Sequence, residues 1–399
     1  MIQAAPRLAP AALALFSVQF LLVCSWTIYV AFLPQLAERA GIAASWVIVI
    51  LMFDQILFAL GDFFAGVASD KVSGSVARFG RWLAIVGVGS CAAFLLLPLA
   101  GTPLLLTGLI IAWSISSSAL RAPVMALVGK HAPAPAVPLL ASMSLFGLGV
   151  AGALAPYLGA RLRGIDPAIP FALSSIVLAA ATLALLKADV LFGKAGQGGG
   201  SNATAATATA TPAMASRLGL LLALLLAAAA FQLHFFVGSA PAYLRFAGKE
   251  SLEQLMPVFW IGFNLSILPV GFACKRLGEL RVMAAGAVLA AAGAFLSGQA
   301  AALDTLIACQ LLAGVGWAFM MLAALTAAIE LGRTGFEGRM TGLFFGLLAL
   351  ATFGRIAAVA AQLPKAPAYA PIMAELPWLL WGASALVLFV TQFRARARA

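Results

Sequence analysis

Four ionisable side chains stand inside long apolar runs: Asp54 and Asp62 in one run, Arg121 in a second and Arg355 in a third. A charge at the centre of a bilayer costs about 2.5–3.5 kcal/mol or more, so each of these residues requires a reason to be there. Two kinds of chemistry supply one. A carboxylate in such a place takes up a proton or helps to hold a sodium ion, and an arginine that exchanges partners makes the binding a switch. The alternative is a set of fixed ion pairs, an aspartate with Arg121 or Arg355, that only align helices. Asp62 follows Asp54 by eight residues, about 80° around a helix, so the two share one broad face. Pro123, two residues after Arg121, frees a backbone carbonyl that can line a cavity. Glu330 lies near the end of its apolar run and suits a latch at a helix end.

Polar and aromatic residues in the same kind of surroundings are candidates for lining a cavity. They are Gln19, Trp26, Tyr29, Gln232, His234, Trp260, Asn264, Gln310 and Trp317. Trp26 and Trp317 suit stacking on a sugar face, or plain packing. His234 suits a proton relay, or a hydrogen-bonded place in the packing. Metal and redox chemistry are not indicated. His131 and His234 are the only histidines, and Cys24, Cys91, Cys274 and Cys309 form no CxxC pair and read as small packing residues. No Gly-x-x-x-x-Gly-Lys loop is present, so direct use of ATP is not expected. No cofactor is expected either.

The elements that must hold these residues follow from composition. Of 399 residues, 63% are hydrophobic and 9% charged, against roughly a quarter charged in a soluble domain. This excludes a cytosolic enzyme, a disordered chain and a secreted disulfide scaffold. A helix needs about 20 apolar residues to cross the hydrocarbon. Twelve stretches qualify: 11–36, 44–69, 81–100, 103–129, 137–160, 167–187, 217–243, 252–274, 282–302, 304–329, 340–362 and 375–393. They are continuously apolar and not alternating, which excludes a membrane barrel. The first is too long for a signal-peptide core and reads as a retained anchor. The net charge of +11 reads as the loop bias that orients membrane helices, not as a nucleic-acid footprint. With the N-terminus inside, inner segments hold 16 Lys and Arg and outer loops 6, which predicts both termini in the cytoplasm. Residues 188–216 contain a Gly-rich run and an Ala/Thr tract and read as a flexible cytoplasmic linker. The expected fold is therefore an all-α integral membrane protein, with six-helix bundles at 1–187 and 217–399.

The loop after the second span reads Gly66-Val67-Ala68-Ser69-Asp70-Lys71, then Arg78-Phe79-Gly80-Arg81. The loop after the eighth reads Gly271-Phe272-Ala273-Cys274-Lys275-Arg276, and aligning the first glycines gives an offset of 205 residues that also carries span one onto span seven. A pattern repeated between halves is the mark of a duplicated transporter. Gly66 permits close helix approach, and Asp70 can accept from the first amides of a neighbouring helix or pair with an arginine. Gly-x-x-x-Asp-Lys followed by Gly-Arg resembles the cytoplasmic loop motif of the major facilitator superfamily. The resemblance implies two pseudo-symmetric six-helix bundles around a cavity that opens alternately to each side. It also implies a conformational latch built from Gly66, Asp70, Lys71, Gly80, Arg81, Lys275, Arg276, Glu330 and Arg339.

Finer resemblances diverge. The stretched loop, Asp62, Arg339-Met340-Thr341-Gly342 and Arg355 are similar to features of glycoside and disaccharide cation symporters, although Phe58 stands where that group carries an acid. Ala151-x-x-x-Ala155-Pro156-x-x-Gly159-Ala160 is a small-residue version of a drug–proton antiporter motif, or generic helix packing. The expected function is secondary active transport of a small organic solute, a sugar or glycoside by the first resemblance, coupled to a proton or sodium ion through Asp54, Asp62, Arg121 and Arg355. The alternatives are a proton-coupled exporter of hydrophobic compounds and a receptor or assembly factor that does not transport. A monomer in the bacterial inner membrane, with no nucleic-acid partner, is expected.

Overall fold

The computed structural model describes residues 8–72, 76–162, 164–184, 214–333 and 335–396. The first half comprises α1 (Ala9–Arg39), α2 (Ser45–Val72), α3 (Val76–Leu96), α4 (Pro103–Ser117), α5 (Ala122–His131), α6 (Val137–Arg161) and α7 (Ala168–Ala184). The second comprises α8 (Met214–Leu233), α9 (Ser239–Tyr243), α10 (Leu252–Leu255), α11 (Pro257–Leu277), α12 (Glu279–Gln299), α13 (Leu303–Gly332), α14 (Glu337–Ala360) and α15 (Ala370–Arg396). Among the described residues, eleven helical stretches are long and apolar enough to cross a bilayer, and the expected span at 167–187 is the shorter apolar helix Ala168–Leu183. Of the expected linker, residues 188–213 lie outside the described residues, and α8 begins at Met214, inside its predicted end. Residues 73–75 and the side chains of 76–79 in the loop motif are also outside them.

Two of the expected straight spans are bent, for chemical reasons. The fourth breaks between α4 and α5 through a tight turn at Ser118–Leu120. Ser116 donates to the Ala112 carbonyl at 2.6 Å and Ser117 to the Ser114 carbonyl at 3.2 Å. Such back-bonding loosens a helix, and Pro123 has no amide to continue it. Arg121 occupies the break, with φ −112° and ψ −83°. The seventh widens into a π-turn at His234–Gly238, where the Ser239 hydroxyl donates to the His234 carbonyl at 3.0 Å.

Because successive spans alternate in direction, the end of α2 at Val72, the α5–α6 turn, the start of α14 at Glu337, the start of α1 at Ala9 and the end of α15 at Arg396 share one side of the molecule, called here the loop side. The halves meet chiefly through α2 against α14 and α6 against α11, with α5 also touching α14. Lipid tails give helices no hydrophobic reason to associate, so close backbone packing must do it. At the α2–α14 crossing, a Cβ on Gly66 would collide with the Gly338 carbonyl, and a Cβ on Gly338 with that of Gly66. Only glycine at both positions allows this approach.

Candidate functional site

Asp54 on α2 is fully buried. Tyr29 on α1 donates its hydroxyl to Oδ2 at 2.5 Å, and Ser114 on α4 donates to Oδ1 at 3.1 Å. Rings close the box: Trp26 lies 6.0 Å from Trp113, Tyr29 4.9 Å from Trp113, and Phe94 5.0 Å from Trp113. No cation pairs with Asp54 among the described residues. A buried carboxylate without a counter-charge is expensive, and neutral hydroxyl donors offset only part of that cost. The site accommodates an ionised carboxylate with two donated hydrogen bonds or, once a hydroxyl turns, a neutral acid.

Asp62, two turns along the same helix, is also fully buried, but it has a counter-ion. Arg121 Nε donates to its Oδ1 at 3.1 Å, and Nη2 lies 3.0 Å from Oδ2. Nη2 also donates to the Ser118 hydroxyl at 3.2 Å. The guanidinium carbon stands 4.4 Å over the centre of the Phe58 ring, a cation–π contact. Phe58 in turn meets Trp26 edge-on at 5.2 Å. Asp54, Phe58 and Asp62 recur every fourth residue and make one stripe along α2. Phe58 therefore bridges the box around Asp54 and the Asp62–Arg121 pair.

That stripe runs into the seam between the halves. A Cβ on Gly342 of α14 would press on the Asp62 carbonyl. The Thr341 hydroxyl lies 3.1 Å across the seam from the Ala122 carbonyl, next to Arg121, and 2.8 Å from the Glu337 carbonyl of its own helix. At the loop side Asp70 accepts from the Gly338 and Arg339 amides at 2.8 and 3.0 Å, so its charge caps the first turn of α14. Lys130 holds Asp70 Oδ1 at 3.3 Å and donates to the Ser69 carbonyl at 3.2 Å. The Arg339 side chain lies 4.0 Å from Asp70 and 4.9 Å over Phe336. The other expected latch residues are placed differently. Glu330 pairs at 2.7 Å with Arg333 in its own half. Lys71, Arg81, Lys275 and Arg276 are exposed, and Gly80 is buried.

In the second half Arg355 donates Nε to Gln232 Oε1 at 2.9 Å, while Gln232 Nε2 donates to the Thr352 hydroxyl at 2.8 Å. The Arg355 guanidinium lies 4.7 Å over the Phe236 ring in the π-turn. His234 and Gln310 share a hydrogen bond of 3.0 Å, joined by Ser239 at 3.2 Å. Trp317 stacks on Phe231 at 4.6 Å, and Trp260 meets Phe231 edge-on at 5.7 Å. Asn264 faces Gly149 across the seam, and its Oδ1 is buried with no hydrogen-bond partner. Gln19 is buried in α1, whereas Trp26 is partly exposed. Sequence reasoning missed Ser114, Ser118, Lys130 and Gly338, and it read Phe58 only as a departure from a pattern. The available signal for Phe58 was its place midway between two buried acids.

The comparisons with known proteins agree with this architecture. The model of the Major Facilitator Superfamily matches residues 15–354, and the chain belongs to that family. The fold matches the human organic anion transporter MFSD10 with a TM-score of 0.70 at 16% identity, covering 97% of this chain and 100% of that one. It matches the proton:xylose symporter XylE with a TM-score of 0.70 at 12% identity, covering 96% and 95%. It matches a bacterial homologue of the iron transporter ferroportin, in an outward-facing state, with a TM-score of 0.68 at 15% identity, covering 96% and 99%. At these identities the likeness is one of fold. No curated protein matches the sequence.

Proposed function

We propose that this member of the superfamily is a proton-coupled secondary transporter of a small organic solute, working by alternating access between its halves. It sits in a bacterial inner membrane with the loop side facing the cytoplasm. The observation that carries the reading is Asp54, a buried carboxyl in a membrane helix held, among the described residues, by the hydroxyls of Tyr29 and Ser114 with no cation beside it. Fixed alignment is served better by a charge that has its counter-ion, as Asp62 has in Arg121. Both Asp54 partners are hydroxyls, which donate to a carboxylate and can turn to accept from a carboxylic acid, so the site suits alternation between the two. A hard cation takes about six oxygen ligands, more than the Asp54 carboxylate and these two hydroxyls supply. The Asp62–Arg121 pair is assigned to positioning. Through Phe58 it senses the Asp54 box, and through Ala122 and Thr341 it touches the other half. Protonation at Asp54 thereby reaches the seam on which closure depends.

The experiment is solute uptake by the purified protein in proteoliposomes with a pH-sensitive dye inside. Solute entry should acidify the lumen, and Asp54→Asn should abolish the coupled proton signal while solute exchange between equal pools continues. Uptake that requires sodium and ignores a collapsed proton gradient overturns the proton assignment. Solute leaving against a proton influx makes the protein an exporter.

A further inference from the structure

We infer that Arg355 is the docking point for the carboxylate of an anionic organic substrate, an inference that rests on the transport reading above. Arg355 is a cation within a membrane helix with no acidic partner among the described residues. Its polar contact is a neutral one, from Nε to Gln232. A guanidinium has five N–H donors, so four of them, on Nη1 and Nη2, have no protein acceptor among the described residues. They are not sealed in the packing either, since the side chain is partly exposed.

Snorkelling to the membrane surface does not explain this placement. Arg355 is five residues from the outer end of α14 (Glu337–Ala360). Helical side chains lean toward the N-terminus of their helix, which here means away from that surface and toward the bilayer middle. The contact with Gln232 holds it there. Gln232 lies eleven residues before the outer end of the stretch Arg217–Tyr243. Phe236 covers one face of the guanidinium, and the Gln232–Thr352 bond fixes the amide so that its oxygen meets Nε. The guanidinium plane is therefore held, with its paired outer N–H groups presented. A held fork of this kind matches a planar carboxylate bidentately. A neutral sugar would leave the charge uncompensated in a low-dielectric setting, where it is costly.

The test is binding at constant pH to the full chain in nanodiscs, read by calorimetry and by thermal shift. The probes are benzoate and lactate, their uncharged amides, and glucose. A carboxylate should bind while its amide and glucose do not. Arg355→Gln should raise the half-saturating concentration about tenfold to a hundredfold, the loss of a charged hydrogen-bond pair, and Arg355→Lys should recover part of it. In a protein whose native cysteines are replaced by serine, Arg355→Cys should react with a water-soluble methanethiosulfonate, and the bound carboxylate should slow the reaction. Absence of binding by both carboxylates, equal binding in Arg355→Gln, tight binding of glucose, or an unreactive Arg355→Cys overturns the inference. Proton movement is not read here. Carboxylate binding without solute-driven acidification defeats the coupling reading alone, and acidification by a neutral solute defeats this one alone.

Discussion

Replacing Asp70 by asparagine should release the loop-side closure of the two halves. Asp70 is the acceptor for two α14 amides at 2.8 and 3.0 Å and stands 3.3 Å from Lys130, with only 6% of its side chain exposed. Hydrogen bonds to a charged group contribute about 1.5–3 kcal/mol each, and a charge at a helix N-terminus adds about 0.3–1 kcal/mol. Asparagine keeps one acceptor oxygen, turns an N–H group toward an amide that needs an acceptor, and removes the charge. The closed arrangement should lose about 2–4 kcal/mol, which moves the open-to-closed ratio by roughly 30- to 700-fold. Spin labels at Arg81 and Lys275, exposed positions in different halves, report the separation by pulsed electron resonance in nanodiscs. The short distance that dominates in the parent should give way to a longer one, and cysteines on the opposite face should become less accessible. Asp70→Glu, which keeps the charge on a longer arm, should fall between them. An unchanged distance distribution in Asp70→Asn would mean that the capping geometry contributes nothing to closure and that Asp70 is only a loop charge.

Arg121→Ala leaves Asp62 buried and alone, which should cost about 3–5 kcal/mol of stability and lower the thermal midpoint. Adding Asp62→Asn should restore most of it, and a double variant as unstable as the single one would show that Arg121 acts by packing and not by charge. Charge balance gives another outcome. Asp54, Asp62, Arg121 and Arg355 sum to zero when empty, and they still do with one proton on Asp54 and one monoanion on Arg355. Transport should therefore be electroneutral, so that a potassium–valinomycin clamp of 0 or about −100 mV, worth about 2.3 kcal/mol per net charge, leaves the initial rate unchanged. A rate that follows the clamp refutes this balance.

Much of the scaffold was legible because a bilayer restricts what a chain can do. Every backbone group in hydrocarbon must be satisfied within its own helix, so long apolar runs such as 304–329 convert directly into helices such as Leu303–Gly332. The close approach at Gly66 could be read as well, since few purposes other than backbone contact require a glycine one turn before a loop acid. The contact on the other side could not. Gly338 and Lys130 lie 268 and 60 positions from Asp70 and its capping site, and nothing local marks them as neighbours. Pro123 marked the fourth span as loosened beside Arg121, but the tight turn at Ser118–Leu120 and the π-turn at His234 escaped for a related reason. Back-bonding serines contribute to both, and a hydropathy window averages these into an unbroken run.

The pairing of the buried charges was the least legible part, and it is where the functional argument rests. The sequence offers two acids and two arginines in the membrane, and by composition any acid could pair with either base. Depth does not decide the matter. The halves decide it, because Asp62 and Arg121 belong to one bundle and meet at the broken fourth span, whereas Arg355 belongs to the other and meets Gln232. One acid and one base are thereby left without a charged partner among the described residues, in different halves of the molecule. A fold that needed only alignment would have closed both pairs. Leaving Asp54 to two hydroxyls and Arg355 to an amide carries a standing cost of charge burial that a mobile proton and a mobile anion can relieve in turn.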